Sequence, residues 1–124
     1  MKKNGFTLIE LMVVMAIIAT LLAIASPKYF EHLHRAQESA LHETLFVVRD
    51  SIDKFHGDQG RYPDSLEELV ERRYLRSLPV DPITDGTDTW AIVPPPSGKA
   101  RGSVYDLHSG APGESRSGTP YAEW

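Results

Sequence analysis

The sequence predicts an α+β protein. A long N-terminal α-helix, membrane-spanning in its first half and amphipathic in its second, carries a small C-terminal cap of one short helix and a small antiparallel sheet. Three observations predict this. The chain has 124 residues, 41% hydrophobic and 24% charged, but the apolar residues crowd the first 27 positions and nearly all the charge follows them. Apolar residues then recur at helical spacing as far as Phe55. Beyond that point, short β-rich runs alternate with Pro/Gly turn clusters. The length fits one small domain. With 13 Lys+Arg against 17 Asp+Glu the net charge is −4, so no basic footprint points to a nucleic-acid partner. The absence of cysteine removes disulfides, zinc–thiolate and iron–sulfur sites and thiol nucleophiles.

The first element is the apolar run. From Phe6 to Ser26, a stretch of 21 residues, only Thr7, Glu10, Thr20 and Ser26 are not hydrophobic. A helix of that length covers roughly 30 Å, the thickness of a bilayer core. Lys2 and Lys3 precede it and the next positive charge is Lys28, which puts the N-terminus on the cytoplasmic side. Three readings compete: a secretory signal with Ala23-Ile24-Ala25 as its small-residue cleavage site, a plain single-pass anchor, and a segment with a more specific role. Glu10 favours the third. A carboxylate among lipid-facing residues costs on the order of 2.5–3.5 kcal/mol, so it marks function by default and calls for a cationic partner or an interfacial position.

Gly5-Phe6-Thr7-Leu8-Ile9-Glu10-Leu11, after a short basic leader, resembles the processing site of type IV prepilins and type II secretion pseudopilins. The resemblance implies a membrane peptidase that cuts between Gly5 and Phe6 and methylates the new terminal amine on Phe6. It makes Glu10 the glutamate at the fifth mature position, and Pro27 the helix-bending proline of many pilins. Cutting after Gly5 creates an α-amino charge four residues before Glu10. A neighbouring subunit staggered along a filament could also supply the amine, and such a pair neutralises both charges in an apolar bundle. The segments are then a leader at 1–5, the transmembrane and assembly half of the helix at 6–27, its amphipathic half at 28–56, and a cap with a C-terminal loop at 57–124.

In the amphipathic half, apolar or small residues recur at Phe30, Leu33, Ala40, Leu41, Leu45, Val48, Ile52 and Phe55, mostly in steps of three, four or seven, which is one helical stripe. The other face offers Glu31–Arg35, Arg49–Asp53 and Asp50–Lys54 pairs at i,i+4. Pro27 lacks an amide donor, so a kink with recovery beyond it is expected. Gly57 and Gly60 are expected to end the helix.

In the cap, Gly60-Arg61-Tyr62-Pro63 reads as a turn. Asp64 and Ser65 each stand three residues before an acid, Glu67 and Glu68, a capping box opening a helix from Leu66 to Arg73. Pro79, Asp81-Pro82 and Asp85-Gly86 mark loops. Residues 90–93 and 104–107 read as two strands joined by the loop 94–102, with no third strand evident. So small a cap has little core of its own and must pack on the long helix or on neighbours.

Tyr62-Pro63, Ser65-Leu66-Glu67-Glu68-Leu69, Asp81-Pro82 and Tyr105-Asp106-Leu107-His108-Ser109-Gly110 resemble the major pseudopilin subfamily of type II secretion. That resemblance implies a structural subunit of a periplasmic pseudopilus that drives protein export. Its partners would be other copies of itself in a helical filament, minor pseudopilins, the prepilin peptidase/methyltransferase and an inner-membrane assembly platform. It would be a single-pass inner-membrane protein with its C-terminus in the periplasm. A surface type IV pilin is the alternative within assembly proteins. An exported soluble binding domain cut at Ala25 is the alternative of another class. No nucleophile elbow or phosphate loop is present. Of the five histidines, His32 and His34 do not face one another on a helix, and Glu38 and His42 share a face as many solvated pairs do. No enzyme is expected.

The subfamily resemblance also implies a calcium ion in the C-terminal loop, held by aspartates, a serine and backbone carbonyls. Here Pro112 stands where the family commonly has aspartate, and residues 119–124 contain none. Calcium takes six to eight oxygens. The expectation is therefore no high-affinity calcium site, with a tail pinned instead by burial of Tyr121 and Trp124 against the cap.

Overall fold

The computed structural model describes residues 4–98 and 100–124; Lys2 and Lys3 of the leader, and Lys99 in the expected 94–102 loop, lie outside them. The elements in order are α1 (Leu8–Gln59), α2 (Leu66–Glu71), β1 (Ala91–Val93), β2 (Asp106–His108) and a single 3₁₀ turn at Tyr121–Glu123. The α+β expectation holds. The chain divides into two compact units, one ending at His34 and the other Arg35–Trp124.

In the first unit α1 opens on Thr7, whose Oγ1 accepts a bond from the Glu10 amide at 3.0 Å. Thr7-Leu8-Ile9-Glu10 is thus a helix-start signature, with the acid in the first turn where the positive end of the helix dipole favours it. The helix is continuous through Pro27, although that residue cannot donate to the carbonyl one turn back. From Phe6 to Leu33 the large apolar side chains are exposed, Phe6 at 86% and Ile24 at 64%. Phe30 and Leu33 are exposed as well. The stripe predicted to begin at Phe30 begins at Leu41, because only the part of the helix within the second unit carries the cap.

The second unit has one core. Leu41, Leu45, Val48, Ile52 and Phe55 of α1 are buried with Leu66, Leu69, Leu75, Trp90, Val104, Leu107, Ala111 and Tyr121. Steps of four, three, four and three keep the five helix residues on one face. Ser51, also buried, sends its hydroxyl toward the Val47 carbonyl at 2.9 Å and the Tyr74 carbonyl at 3.3 Å. Of the two glycines expected to end the helix, Gly60 does so and Gly57 does not: the helix passes through Gly57 and stops at Gln59. Nothing in the fold crowds Gly57, whereas Gly60 has φ +71 and closes the last turn through its amide to the His56 carbonyl at 2.9 Å, as a left-handed C-terminal residue does.

The α2 start is the predicted one. Ser65 Oγ accepts from the Glu68 amide at 3.2 Å, while Glu68 Oε1 reaches back to the Asp64 amide at 2.9 Å. Arg61 grips both Glu68 oxygens, at 2.9 and 2.7 Å. That fork, followed by the Asp64 amide, holds the Glu68 carboxyl at a pKa of about 2. The helix ends at Glu71 and not at Arg73, since Arg73 turns left-handed (φ 65) and the Tyr74 and Leu75 amides both fold back on the Leu69 carbonyl.

The sheet is two-stranded and antiparallel, with Ala91 opposite His108, Ile92 opposite Leu107 and Val93 opposite Asp106. Its strands start one and two residues later than predicted. Trp90 is spent on the core, donating Nε1–H to the Pro79 carbonyl at 2.9 Å, and the Val104 amide bonds the Pro63 carbonyl. Two glycines make the crossings possible: a Cβ on Gly102 would lie 2.1 Å from the Tyr62 oxygen, and one on Gly110 would lie 1.8 Å from the Thr89 oxygen.

Candidate functional site

Two regions carry the residues singled out above, and each lies within one unit. In the first unit Gly5 and Phe6 precede the helix, and Glu10 lies in its first turn. The segment around Gly5-Phe6 is non-helical and exposed, with nothing within 4 Å of the position a Gly5 side chain would take. A new amine at Phe6 would stand one residue before the Thr7 cap, where the helix dipole disfavours positive charge, and Glu10 one turn away offsets it. Pro27 is not brought near these residues: it lies about 25 Å further along the helix at 1.5 Å per residue. α1 carries a window long and apolar enough to cross a membrane, none of it buried. Its large apolar side chains are exposed.

The second region is the C-terminal loop and tail. Glu114 and Pro120 form an isolated antiparallel bridge. Inside it the Ser115 amide bonds the Thr119 carbonyl at 2.8 Å, the Gly118 amide bonds the Ser115 carbonyl at 2.9 Å, and the Thr119 amide reaches Ser115 Oγ at 3.2 Å. Three residues on one side of α1 then hold the segment. Glu38 Oε1 accepts from the Arg116 amide at 2.8 Å and from the Tyr121 hydroxyl at 3.2 Å. His42 stacks on Trp124 with ring centroids 4.1 Å apart. Arg49 donates Nε–H to Asp106 at 2.8 Å and Nη2–H to the main-chain oxygens of Leu107 and Trp124 at 2.9 and 2.6 Å. Burial, and then the Glu38 charge, push the Tyr121 hydroxyl pKa up.

The i,i+4 spacing predicts an Arg49–Asp53 pair, and the fold pairs Arg49 with Asp106 instead; Asp50–Lys54 forms as predicted, at 2.8 Å. Spacing alone makes Glu38 and His42 an ordinary surface pair, whereas in the fold they anchor the tail. The available signal is that positions 38, 42 and 49 share one helix side. Tyr121 is buried as expected, whereas Trp124, expected to be buried against the cap, is half-buried and holds the tail to α1 through its ring on His42 and its main-chain oxygen on Arg49.

Many oxygens of this region are engaged within the fold. The Ser109 hydroxyl is committed to Asp81 Oδ2 and to the Ala111 amide, and that Asp81 is fully buried with its other oxygen on the Ile83 amide at 2.8 Å. The Ser115 hydroxyl serves Ser117 and Thr119. The Gly113 and Thr119 carbonyls accept from Tyr121 and Ser115. The acids beyond Asp106, Glu114 and Glu123, are exposed.

A family profile described as "Prokaryotic N-terminal methylation motif" matches residues 1–26. The chain is 29% identical over 127 residues to "Type II secretion system core protein G" of Escherichia coli (strain K12), covering 90% of this chain and 83% of that protein. The protein of the same name from Pseudomonas aeruginosa is 30% identical over 97 residues, 65% of this chain and 68% of that one. "Fimbrial protein EcpC" of Eikenella corrodens is 39% identical over 83 residues, 63% of this chain and 54% of its own length. No solved structure matches the chain significantly.

Proposed function

The chain belongs to the type IV pilin-like family, close to the core protein G of type II secretion systems, and on that premise we propose that it is a structural subunit of a periplasmic pseudopilus that drives protein export. The observation that carries the proposal is the extent of the likeness. The match to the Escherichia coli core protein G takes in the cap as well as the helix, 90% of this chain, whereas the match to the fimbrial protein takes in 63%. In this reading the leader faces the cytoplasm. A prepilin peptidase cuts between Gly5 and Phe6 and methylates the Phe6 amine. The apolar half of α1 waits in the inner membrane until an assembly platform draws it into a filament that minor pseudopilins complete. Bundled helices form the filament and the caps stand outside them. The work is mechanical, with no catalysis by the chain itself.

Deletion of the gene in its host tests this. Exported proteins should accumulate in the periplasm, with surface filaments unaffected. Loss of surface filaments with normal export would instead establish the type IV pilin reading, which the 39% identity to the fimbrial protein favours. An exported soluble domain released after Ala25 would require a cut inside the continuous α1.

We also propose that the C-terminal loop holds no resident calcium and is stapled by Glu38, His42 and Arg49. The full chain in detergent should melt at the same temperature in excess calcium and in chelator. A large calcium-dependent rise, as ligation of the folded state alone produces, would overturn this.

A further inference from the structure

The second unit carries two surface features that its own fold leaves unused, and they are complementary. The first is Phe46, 72% exposed in the second half of α1. At about 100° per residue it stands roughly 140° around the helix from the centre of the buried stripe, with the acids Asp50 and Asp53 on the same side. The second is a groove of about 660 Å³ between α1 and the segment after α2, lined by Ala40, Thr44, Val47, Leu75, Leu78 and Val80. Val47 and Val80 remain 46% and 45% exposed. Arg76 and Glu43 line it too, and exposed Arg72 and Arg73 precede Arg76 in the chain.

Phe46 cannot fill the groove of its own subunit, because the two face different ways around one helix. It can fill that of another copy. We propose that Phe46 of one copy seats in the Val47–Leu78–Val80 groove of the next, with Asp50 and Asp53 beside it facing Arg76 of the groove. This rests on the filament-subunit reading above and names its subunit contact. A buried aromatic in a pocket is the usual anchor of an interface, and opposed charges fix its register. Because knob and groove are different patches, the contact is heterologous and repeats without closing, which makes an open helical array and not a two-fold pair.

The chain has no cysteine, so introduced thiols report cleanly. Two differently tagged full-length copies, one carrying Ser39→Cys and the other Ser77→Cys, are co-expressed in the host and treated with a short thiol-to-thiol linker. Both positions flank the contact and leave Phe46 in place. The expected result is a mixed cross-linked dimer. Its yield should fall at least about tenfold when Phe46→Ala is added, since burying such a side chain contributes about 1.5–3 kcal/mol, and should persist with Phe46→Leu. A mixed dimer that is absent, or indifferent to Phe46→Ala, overturns the proposal. If filaments are still recovered in that case, the subunit reading stands without this contact. If the wild-type chain forms no filaments at all, that reading itself has failed.

Discussion

The Gly5→Val variant should accumulate entirely uncut, inserted in the membrane and absent from filaments. Nothing lies within 4 Å of a Cβ built on Gly5, so the substitution leaves the fold alone and acts only on the approach of a peptidase. Glycine lets an enzyme's backbone come close to the scissile bond, and a β-branched side chain there blocks it. The uncut chain also lacks an amine at Phe6, and therefore lacks the positive charge that Glu10 is proposed to meet in the bundle. N-terminal sequencing of the membrane fraction is the readout. Normal cutting of this variant would remove Gly5 from the processing site.

Glu10→Val should have the second large effect, and at a different stage. The bond that starts α1 uses the main-chain amide of residue 10 and the Thr7 hydroxyl, so it survives the substitution. Insertion becomes easier, since an intramembrane carboxylate is costly. In a filament, however, the Phe6 amine of a neighbour would be left without its counter-charge in an apolar bundle. Breaking one half of a buried pair costs about 3–5 kcal/mol, enough to cut filament yield by about two orders of magnitude. The expected protein is cut after Gly5, methylated, inserted and monomeric. Filaments in normal amount, by electron microscopy, would contradict the role given to Glu10.

Much of this architecture is legible locally. The apolar run, the Leu41–Phe55 stripe and the Ser65–Glu68 cap each follow from neighbours within a turn or two. What the sequence hides depends on partners far along the chain. Arg49 has a carboxylate at i+4, Asp53, but the fold brings Asp106 and two main-chain oxygens to it, and no local spacing reveals a partner 57 residues away. The roles of Glu38 and His42 are hidden for the same reason, because their partners, Arg116, Tyr121 and Trp124, lie in the tail. Of the two glycines expected to end the helix, Gly57 has a glycine's freedom without using it, while Gly60 takes the left-handed turn. Phe30 and Leu33 keep the helical period but lie in the first unit, outside the core. Gly5 and Phe6 are legible as a motif, and the structure places them in exposed, non-helical backbone ahead of a capped helix with its acid in the first turn.

The measurement that bears most directly on the account is the N-terminal sequence and intact mass of the wild-type chain purified from its host's membranes. The account requires a chain that begins at Phe6 and is one methylene heavier than the bare sequence from that point. A chain beginning at Ser26, released from the membrane, would contradict it and leave a secreted domain in place of a filament subunit.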